Sequence, residues 1–451
     1  MTPEAQLATF ACTLRSDHLP EPVAARARLV VLDTLGAIIG GMPTILQAAE
    51  HLARTSPGAA TILGTPWRAE PGHAAFLNGS AGTALELDEG HRFAAGHPAI
   101  HVVPAALAAA EMTDATGERF LAAVAAGYEV AARAGRAIGP LRPPLHPHGT
   151  WGTLGAAAAT AVLLGAEPKA VAEALRLAAH YAIHTHYAAA TEGATVRDTY
   201  AGASNLLGVL AARLALSGIT GMPDLLRTLA PLAASPPDAE VLTHRLGDGY
   251  EVARGYFKMH AACRHLHGAL DCLDEILRTH PVAPEEVVRV EVDTYAPAST
   301  FTGRRPQTRL AAKFSLPFAV ATRLVTGTSS AEAFEPGALT PETFALAERV
   351  VVRERPEFTA AQPARRPTAV SVLLRDGRRL QAQVSLPRGE DDLAYEDDQV
   401  REKFTRLAGR VLGAEAAARA VARWQQAEAG PIRDLVALLT AQEEASPRHG
   451  H

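Results

Sequence analysis

Residues 152–164 of the chain read GTLGAAAATAVLL, and as a helix this stretch would be apolar on nearly every side. A helix without a polar face is buried by neighbours in several directions, so the stretch predicts the centre of a large helical domain. It is shorter than the roughly 18 apolar residues that a membrane-spanning helix needs. Apolar residues recur at helical spacing in other segments: Pro22–Ile39, Pro104–Thr113, Arg119–Ile138, Ala170–Ala182 and Asn205–Ser217.

The sequence pattern changes near residue 256. Alternating apolar residues predict a strand over Val287–Thr294. Two further strands, Thr368–Leu374 and Arg379–Leu386, flank the turn pair Asp376-Gly377 and predict a hairpin. Helical spacing is found in Ala311–Val325. Strands and helices mixed in this way predict a smaller α+β domain.

The predicted fold class is therefore mainly α with an inserted α+β domain. We assign residues 1–255 and 401–445 to the two parts of the helical domain and residues 256–400 to the smaller domain. The last residues, 446–451, are predicted to be disordered because nothing in their sequence would anchor them.

Composition narrows the class of protein further. Hydrophobic residues make up 48% of the 451 residues, which excludes a disordered chain. The 43 Lys and Arg are interspersed with 48 Asp and Glu, so no basic field predicts nucleic acid or a membrane surface as a partner. Three cysteines without a CxxC pair argue against a disulfide framework. We therefore expect a cytoplasmic protein without a secretory leader.

The chemistry-bearing motifs are histidine clusters. The sequence contains no phosphate-loop, dinucleotide-binding, GxSxG or HExxH motif, so ATP, nicotinamide and flavin chemistry have no support. Its histidines instead concentrate at residues 86–101, 146–152 and 258–267, next to carboxylates and cations. The second cluster directly precedes the buried Ala-rich helix, and Arg197 precedes another. Helix N-termini favour anions, so these clusters predict a site for an anionic ligand.

Other interpretations of these clusters remain open. Histidines also bind metals, and His146 and His148 could chelate one from an extended loop. A metal-dependent hydrolase or hydratase is therefore an alternative. Cys263 could act as a nucleophile only in a field that stabilises its thiolate. A non-catalytic helical binding protein is the third hypothesis.

The clusters are similar to motifs of the MmgE/PrpD family, which includes 2-methylcitrate dehydratase, cis-aconitate decarboxylase and iminodisuccinate epimerase. The order and spacing of short motifs carry the resemblance over nearly the whole chain: Val31–Gly36, Phe76–Gly79, Gly96–Pro98, Gly152–Ala157, Tyr256–Lys258, Lys313–Ser315, Pro387–Gly389 and Lys403-Phe404. The resemblance implies a homodimer with a large helical domain and a smaller α/β lid. It also implies catalysis on small di- or tricarboxylates in the cleft between them, without a metal or organic cofactor.

The resemblance further implies which residues form the site. The predicted catalytic residues are His97, His146, Lys258, Arg197 and Asp88, the last from an acidic loop that spans Glu86 to Glu89. The predicted substrate-binding residues are Glu86, Arg92, Cys263 and Phe318. Arg197 replaces a lysine of the family, and Phe318 replaces a tyrosine of the decarboxylase. Arginine keeps its proton and phenylalanine has none to give, so both departures argue against strict cis-aconitate decarboxylase activity.

These residue types suit proton abstraction next to a carboxylate. Lys258, Arg197 and Arg92 can bind carboxylates, and His97 with His146 can form an acid/base pair whose roles stay open. Loss of a β-hydroxyl would make a dehydratase, reprotonation on the opposite face an epimerase, and loss of CO₂ a decarboxylase. We predict a cofactor-independent lyase of the dehydratase type, with the epimerase and the decarboxylase as alternatives.

Overall fold

Helices make up most of the computed structural model, which describes residues 1–183, 185–390, 393–426 and 430–441. In the first half of the chain they are α1 (Pro3–Thr13), α2 (Glu21–Gly41), α3 (Leu46–Thr55), α4 (Pro71–Ala84), α5 (Pro98–Thr113), α6 (Gly117–Ile138), α7 (Gly152–Leu163), α8 (Pro168–His180), α9 (Ala188–Glu192), α10 (Tyr200–Leu216), α11 (Leu225–Leu229) and α12 (Ala239–Thr243). In the second half they are α13 (His267–Thr279), α14 (Ala296–Ser299), α15 (Arg309–Lys313), α16 (Leu316–Thr326), α17 (Pro341–Ala347), α18 (Pro356–Ala360), α19 (Asp397–Leu412), α20 (Ala414–Trp424) and α21 (Ile432–Val436).

Helix α7 lies at the centre of the helical part and packs against α5, α6, α8 and α10. Its small residues let the neighbouring backbones approach closely. A Cβ atom added at Gly155 would lie only 2.5 Å from the carbonyl oxygen of Gly127 in α6, so a larger residue would push the two helices apart. The predicted buried central helix is therefore confirmed.

The strands are β1 (Ala60–Thr61), β2 (Arg68–Ala69), β3 (Gly90–His91), β4 (Gly255–Tyr256), β5 (Val287–Thr294), β6 (Val350–Glu354), β7 (Thr368–Leu374) and β8 (Arg379–Val384). The last four form one sheet in the order β6-β5-β7-β8. The predicted hairpin is β7–β8, and β5 pairs antiparallel with β7. Strand β6, which the sequence analysis missed, pairs parallel with β5 and makes the sheet mixed. The β-branched run Val350–Val352 is its signal in the sequence.

Two hydrophobic cores correspond to the helical part and to the part that contains the sheet. The C-terminal α19 returns to the first core, where Phe404 packs closely against Gly36 of α2. The structure thus confirms a mainly α fold with a smaller sheet-containing domain. The boundaries after residues 255 and 400 stay predictions. The predicted disorder of residues 446–451 falls outside the described residues.

Two differences from the predicted elements position site residues. Helix α5 begins at Pro98 and includes Pro104, which was predicted to start it, so His97 becomes the residue that precedes the helix. The predicted helix Ala311–Val325 is divided into α15 and α16 because Ser315 caps α16. Its hydroxyl accepts a hydrogen bond from the Phe318 N–H at 3.0 Å. Phe314 lies at this break.

One helical stretch, Glu21–Thr55, is long and apolar enough to cross a membrane by length and composition. Within the structure, 72% of its most apolar window is buried. Burial of this extent is what the core helix of a soluble protein shows, because its apolar face is already covered by protein. The cytoplasmic location stays a prediction.

Candidate active site

A cavity of about 430 Å³ lies between the helical part and the sheet-containing part, within the size range of small-molecule sites. Its lining residues with polar or ionisable side chains include Glu86, Arg92, His97, His146, Tyr187, Arg197, Tyr256, Cys263, Arg264, His265 and Arg366. Six of the nine predicted site residues are among them. Asp88 and Lys258 lie directly behind this layer and are fully buried. The remaining one, Phe318, lies elsewhere.

The acidic loop that runs from Glu86 to Glu89 is held by a lysine from the far end of the chain. Lys403 in α19 donates a hydrogen bond to the Leu87 carbonyl oxygen at 2.6 Å. The same ammonium group forms an ion pair with Asp33 of α2, also at 2.6 Å. Because all three groups are buried, this lysine ties the loop to two helices of the first core.

Glu89 anchors the other end of the loop. Its carboxyl group accepts hydrogen bonds from the Tyr128 hydroxyl at 2.5 Å and from the Ala99 N–H at 3.2 Å. Burial raises the pKa of Glu89 to about 8, so this group is largely protonated at neutral pH. Glu89 therefore braces the loop without adding a full negative charge to the site.

His97 and Asp88 lie within ion-pair distance of each other beside the cavity. Nδ1 of His97 lies 2.7 Å from the Glu89 carbonyl oxygen and 3.0 Å from a carboxylate oxygen of Asp88. A carbonyl oxygen only accepts hydrogen bonds, so Nδ1 carries a proton and Nε2 is left for the cavity. Although burial opposes it, the charges of His97 and Lys258 hold the pKa of Asp88 well below its usual value. An ionised Asp88 therefore places a negative charge 3.0 Å from Nδ1 of His97.

The buried charges behind the cavity compensate one another. The Lys258 ammonium lies 3.2 Å from Asp88 and 3.6 Å from Glu86. Glu86 also forms a close ion pair with the guanidinium of Arg197. Although burial opposes it, the charges of Glu86 and Asp198 raise the pKa of Arg197. The positive charges of these two cations are balanced by the negative charges of Glu86 and Asp88. Together the four groups add no net charge to the site, and they provide fixed dipoles that orient neighbouring groups.

His146 is a neutral hydrogen-bond donor. Its Nδ1 accepts a hydrogen bond from the His148 N–H at 3.0 Å, which places the remaining proton on Nε2. Burial and the positive charges of Arg197 and His97 hold the pKa of His146 well below its usual value. At neutral pH it therefore carries no charge. The structure thus gives the rings of His97 and His146 different hydrogen-bonding partners, and their acid/base roles stay a prediction.

His148 is a residue that the sequence analysis left outside the predicted site. Its ring stacks on those of His97, His101 and His146, with ring centres 4.7, 5.1 and 5.0 Å apart. Burial and the charge of Arg197 hold the pKa of His148 well below its usual value. The second histidine of the HPHG motif was its signal. As a neutral ring in this stack, His148 holds the imidazole planes of His97 and His146 nearly parallel to its own.

Cys263 has the wrong environment for a nucleophile. Burial and the negative charge of Glu86 raise the pKa of its thiol to about 11. Its sulfur lies 3.8 Å from the Tyr187 hydroxyl, and Tyr187 packs on His146 with ring centres 4.9 Å apart. Cys263 therefore lines the cavity as a neutral thiol.

The structure corrects the placement of Phe318. This side chain is fully buried in the second core, where it packs against Phe334 and Phe344. Phe314, at the break between α15 and α16, lines the cavity instead and lies below the Arg197 guanidinium, 5.3 Å from its ring centre. The sequence-based assignment rested on matching Phe318 to a tyrosine of the decarboxylase, and the buried position of Phe318 in the second core does not agree with it.

Two arginines of the sheet-containing part were also missed. Arg264 and Arg366 line the cavity together with the predicted Arg92. Glu390 forms ion pairs with Arg92 at 2.5 Å and with Arg264 at 3.1 Å. Three segments that are far apart in the chain meet here, so no single local motif predicted that these arginines would lie together.

The residues of the site do not fit a divalent metal. Asp88, His97 and His148 do place three possible ligand atoms within 4.8 Å of one another. However, Nδ1 of His97 holds a proton for the Glu89 carbonyl oxygen, and a ligand nitrogen must be unprotonated. The Lys258 ammonium, 3.2 Å from Asp88, would also repel a dication.

Comparisons with known proteins identify relatives of this chain. The family model for the MmgE/PrpD N-terminal domain matches residues 5–230, and that for the C-terminal domain matches residues 260–426. The cis-aconitate decarboxylase-like protein oryM of Aspergillus oryzae is 29% identical over 451 aligned residues, which cover 92% of this chain and 93% of that protein. A cis-aconitate decarboxylase of Aspergillus terreus is 25% identical, covering 90% and 89%. The human cis-aconitate decarboxylase is 31% identical over a shorter match, 47% of this chain and 46% of that protein.

Proposed function

Because the chain belongs to the MmgE/PrpD family of enzymes, we propose that it is a lyase that decarboxylates a small unsaturated tricarboxylate of the cis-aconitate type. The proposal includes catalysis without a metal or organic cofactor. The observation that carries it is the Asp88–His97 pair, which presents Nε2 to a cavity rich in guanidinium groups. The names of the relatives suggest decarboxylation rather than the dehydration expected from the sequence.

The proposed reaction consumes one proton. In cis-aconitate a carboxymethyl group is attached to a carbon–carbon double bond. Loss of CO₂ breaks the bond between its CH₂ carbon and its carboxyl carbon. The electron pair moves into a new terminal double bond, and a carbanion forms on the far alkene carbon, next to another carboxylate. Protonation of that carbon gives an unsaturated dicarboxylate.

His97 is the proposed proton donor. Its Nδ1 is held by Asp88 and the Glu89 carbonyl oxygen, and Nε2 is the nitrogen directed to the substrate. Arg197 is a fixed cation that stabilises the negative charge developing on the carboxylate next to the carbanion. His146 offers a neutral N–H to the same oxygens.

The two departures from the family pattern are compatible with this assignment. Arg197 keeps its proton and cannot act as a base. In this proposal His97 transfers the proton, so the position of Arg197 requires only a fixed charge. The phenol that is missing at residue 318 has a counterpart in Tyr187, which lines the cavity. Burial and the neighbouring Cys263 raise the pKa of Tyr187 well above its usual value, so its hydroxyl remains a proton-bearing donor.

The reaction is tested by proton NMR of the EDTA-treated protein in D₂O with cis-aconitate, citrate, 2-methylcitrate and iminodisuccinate. We expect cis-aconitate to be converted to CO₂ and an unsaturated dicarboxylate that carries one deuterium next to a carboxylate. The uptake of one proton per CO₂ released is a second readout in unbuffered H₂O from which the CO₂ is continuously purged.

Other products would replace the proposal. Loss of water from citrate or 2-methylcitrate would make the protein a dehydratase, and deuterium exchange in iminodisuccinate without a new product would make it an epimerase. Activity that appears only after addition of Zn²⁺ or Fe²⁺ would overturn cofactor independence.

We also propose that the protein forms a homodimer. Apolar side chains around the end of α10 are unusually exposed, at 41% for Leu210, 44% for Leu216 and 50% for Ile219. A second copy would remove this surface from water. Light scattering on a size-exclusion column is expected to give twice the chain mass of 47.4 kDa. A mass of one chain at micromolar concentration would contradict the proposal.

A further inference from the structure

Positive charge is distributed unevenly around the cavity. On the side of His97, the cations Lys258 and Arg197 are matched by Asp88 and Glu86. Elsewhere in the lining, Arg92, Arg264 and Arg366 form a cluster that we call the arginine wall, in which Glu390 pairs with Arg92 and Arg264. Because no carboxylate of the described residues lies within ion-pair distance of Arg366, positive charge remains at the wall.

The neutral neighbours of the wall do not cancel this excess. Burial, followed by the charges of Arg366 and Arg264, holds the pKa of His265 at about 3, so this ring is uncharged. Burial raises the pKa of Tyr256 and of Tyr295 well above their usual values, so both phenols keep their protons. The wall is therefore cationic at neutral pH, in a partly desolvated cavity where charge is felt strongly.

Arg264 is fixed in position with one donor to spare. Its two terminal nitrogens contact the carbonyl oxygens of Pro387 and Arg388, the Glu390 carboxylate and Nδ1 of His267. Its Nε–H, although buried, has no hydrogen-bond partner among the described residues. A buried N–H without a partner is costly, so a ligand oxygen at this point would be bound favourably.

Arg366 supplies the wall's least compensated charge. It is 8% exposed and lines the cavity. Within the described part of the chain, no carboxylate lies within ion-pair distance of its guanidinium group. Although burial opposes it, the neighbouring Tyr295, Tyr256 and Glu390 raise its pKa. Its charge is therefore available to an anionic ligand.

The wall belongs to the same compartment as His97. The rings of His97 and Tyr256 are 6.4 Å apart, and the Arg264 guanidinium lies 4.2 Å above the ring of Tyr256. A small substrate can therefore reach both groups at once.

From this arrangement we infer that Arg264 and Arg366 bind the terminal substrate carboxylate that is remote from Arg197, and that Arg366 selects tricarboxylates over dicarboxylates. The inference rests on the proposed function and deepens it. A guanidinium group pairs well with a carboxylate because its N–H groups match both oxygens. A dicarboxylate that lacks the remote group would leave buried donors without partners, which is how polar sites reject incomplete ligands.

The test measures binding of two unreactive ligands by calorimetry. Tricarballylate has three carboxylates, and 2-methylsuccinate is the same skeleton without one terminal carboxylate. The wild-type protein is expected to prefer tricarballylate. Arg366→Met should weaken tricarballylate binding about 10- to 100-fold, the value of one charged hydrogen-bonded contact, and change 2-methylsuccinate binding less than about threefold.

Two control variants separate the contact from general effects. Arg365→Met removes the same charge from an exposed neighbouring position and is expected to leave both affinities unchanged. Arg366→Lys keeps the charge and should restore part of the preference. The inference would be overturned, without affecting the proposed function, if Arg366→Met weakened the binding of both ligands equally. The same holds if the wild-type protein showed no preference for tricarballylate. Failure of the wild-type protein to bind either ligand would instead reject the proposed function.

Discussion

Replacing His97 by Asn is expected to lower kcat about 1000-fold, the usual value of a well-placed proton donor. The amide nitrogen of Asn occupies the position of Nδ1 and can still donate to the Glu89 carbonyl oxygen, 2.7 Å from Nδ1 in the native site. The variant therefore loses Nε2, the atom assigned to proton transfer, while the loop contact is kept. Steady-state release of CO₂ from cis-aconitate measures the loss.

Binding separates a chemical role of His97 from a structural one. The affinity for tricarballylate should change less than about threefold, since the arginine wall and Arg197 are untouched. An exposed histidine, His180, provides the matched control, and His180→Asn should have wild-type kcat. A His97→Asn variant that retains more than a tenth of the activity would remove His97 from the proton-transfer step.

Replacing Lys403 by Met is expected to destabilise the protein by about 3 kcal/mol, because removing one partner of a buried ion pair leaves the other uncompensated. The partner is Asp33, 2.6 Å away. Burial raises the pKa of Asp33 and lowers that of Lys403, so the pair contributes little net stability when both members are present. Urea unfolding followed by circular dichroism measures the change.

The double variant Asp33→Leu/Lys403→Met separates the effect of the Asp33–Lys403 ion pair on stability from the role of Lys403 in holding the acidic loop. Removing both charges should recover stability to within about 1 kcal/mol of wild type. It does not restore the hydrogen bond from Lys403 to Leu87, which holds the loop carrying Asp88. We therefore expect kcat to stay at least about tenfold low, because misplaced catalytic groups are costly. Recovery of both stability and kcat would show that the lysine does not position the loop.

Much of the fold was predictable from local patterns. The apolar periodicity of residues 152–164 identified the central helix, and the strand over Val287–Thr294 has the bounds that its alternation predicted. The break at Ser315 was missed because a hydroxyl that caps a helix looks like any other polar residue within a helical segment. Phe314 lies at this break and lines the cavity, whereas Phe318, which the resemblance had assigned to the site, is buried in the second core.

The candidate site was predictable only in part. Recognisable helix starts lie next to His97, His146 and Arg197, so the sequence predicted these clusters as parts of the site. The arginine wall draws Arg92, Arg264 and Arg366 from segments that are distant in sequence and carry no common motif. Lys258 and Asp88 are 170 residues apart, and their ion pair exists only because β3 and β4 bring the two loops together.

The sequence by itself therefore determined which elements form and which kinds of groups the site holds, since periodicity, caps and motifs depend on neighbours along the chain. The tertiary structure decided the chemical state of those groups. Burial and partners from distant segments decide whether His97 bears its proton on Nδ1 and whether His146 is neutral. They also decide where positive charge remains uncompensated. Both burial and long-range pairing arise only when the helical and sheet-containing parts enclose a common cavity.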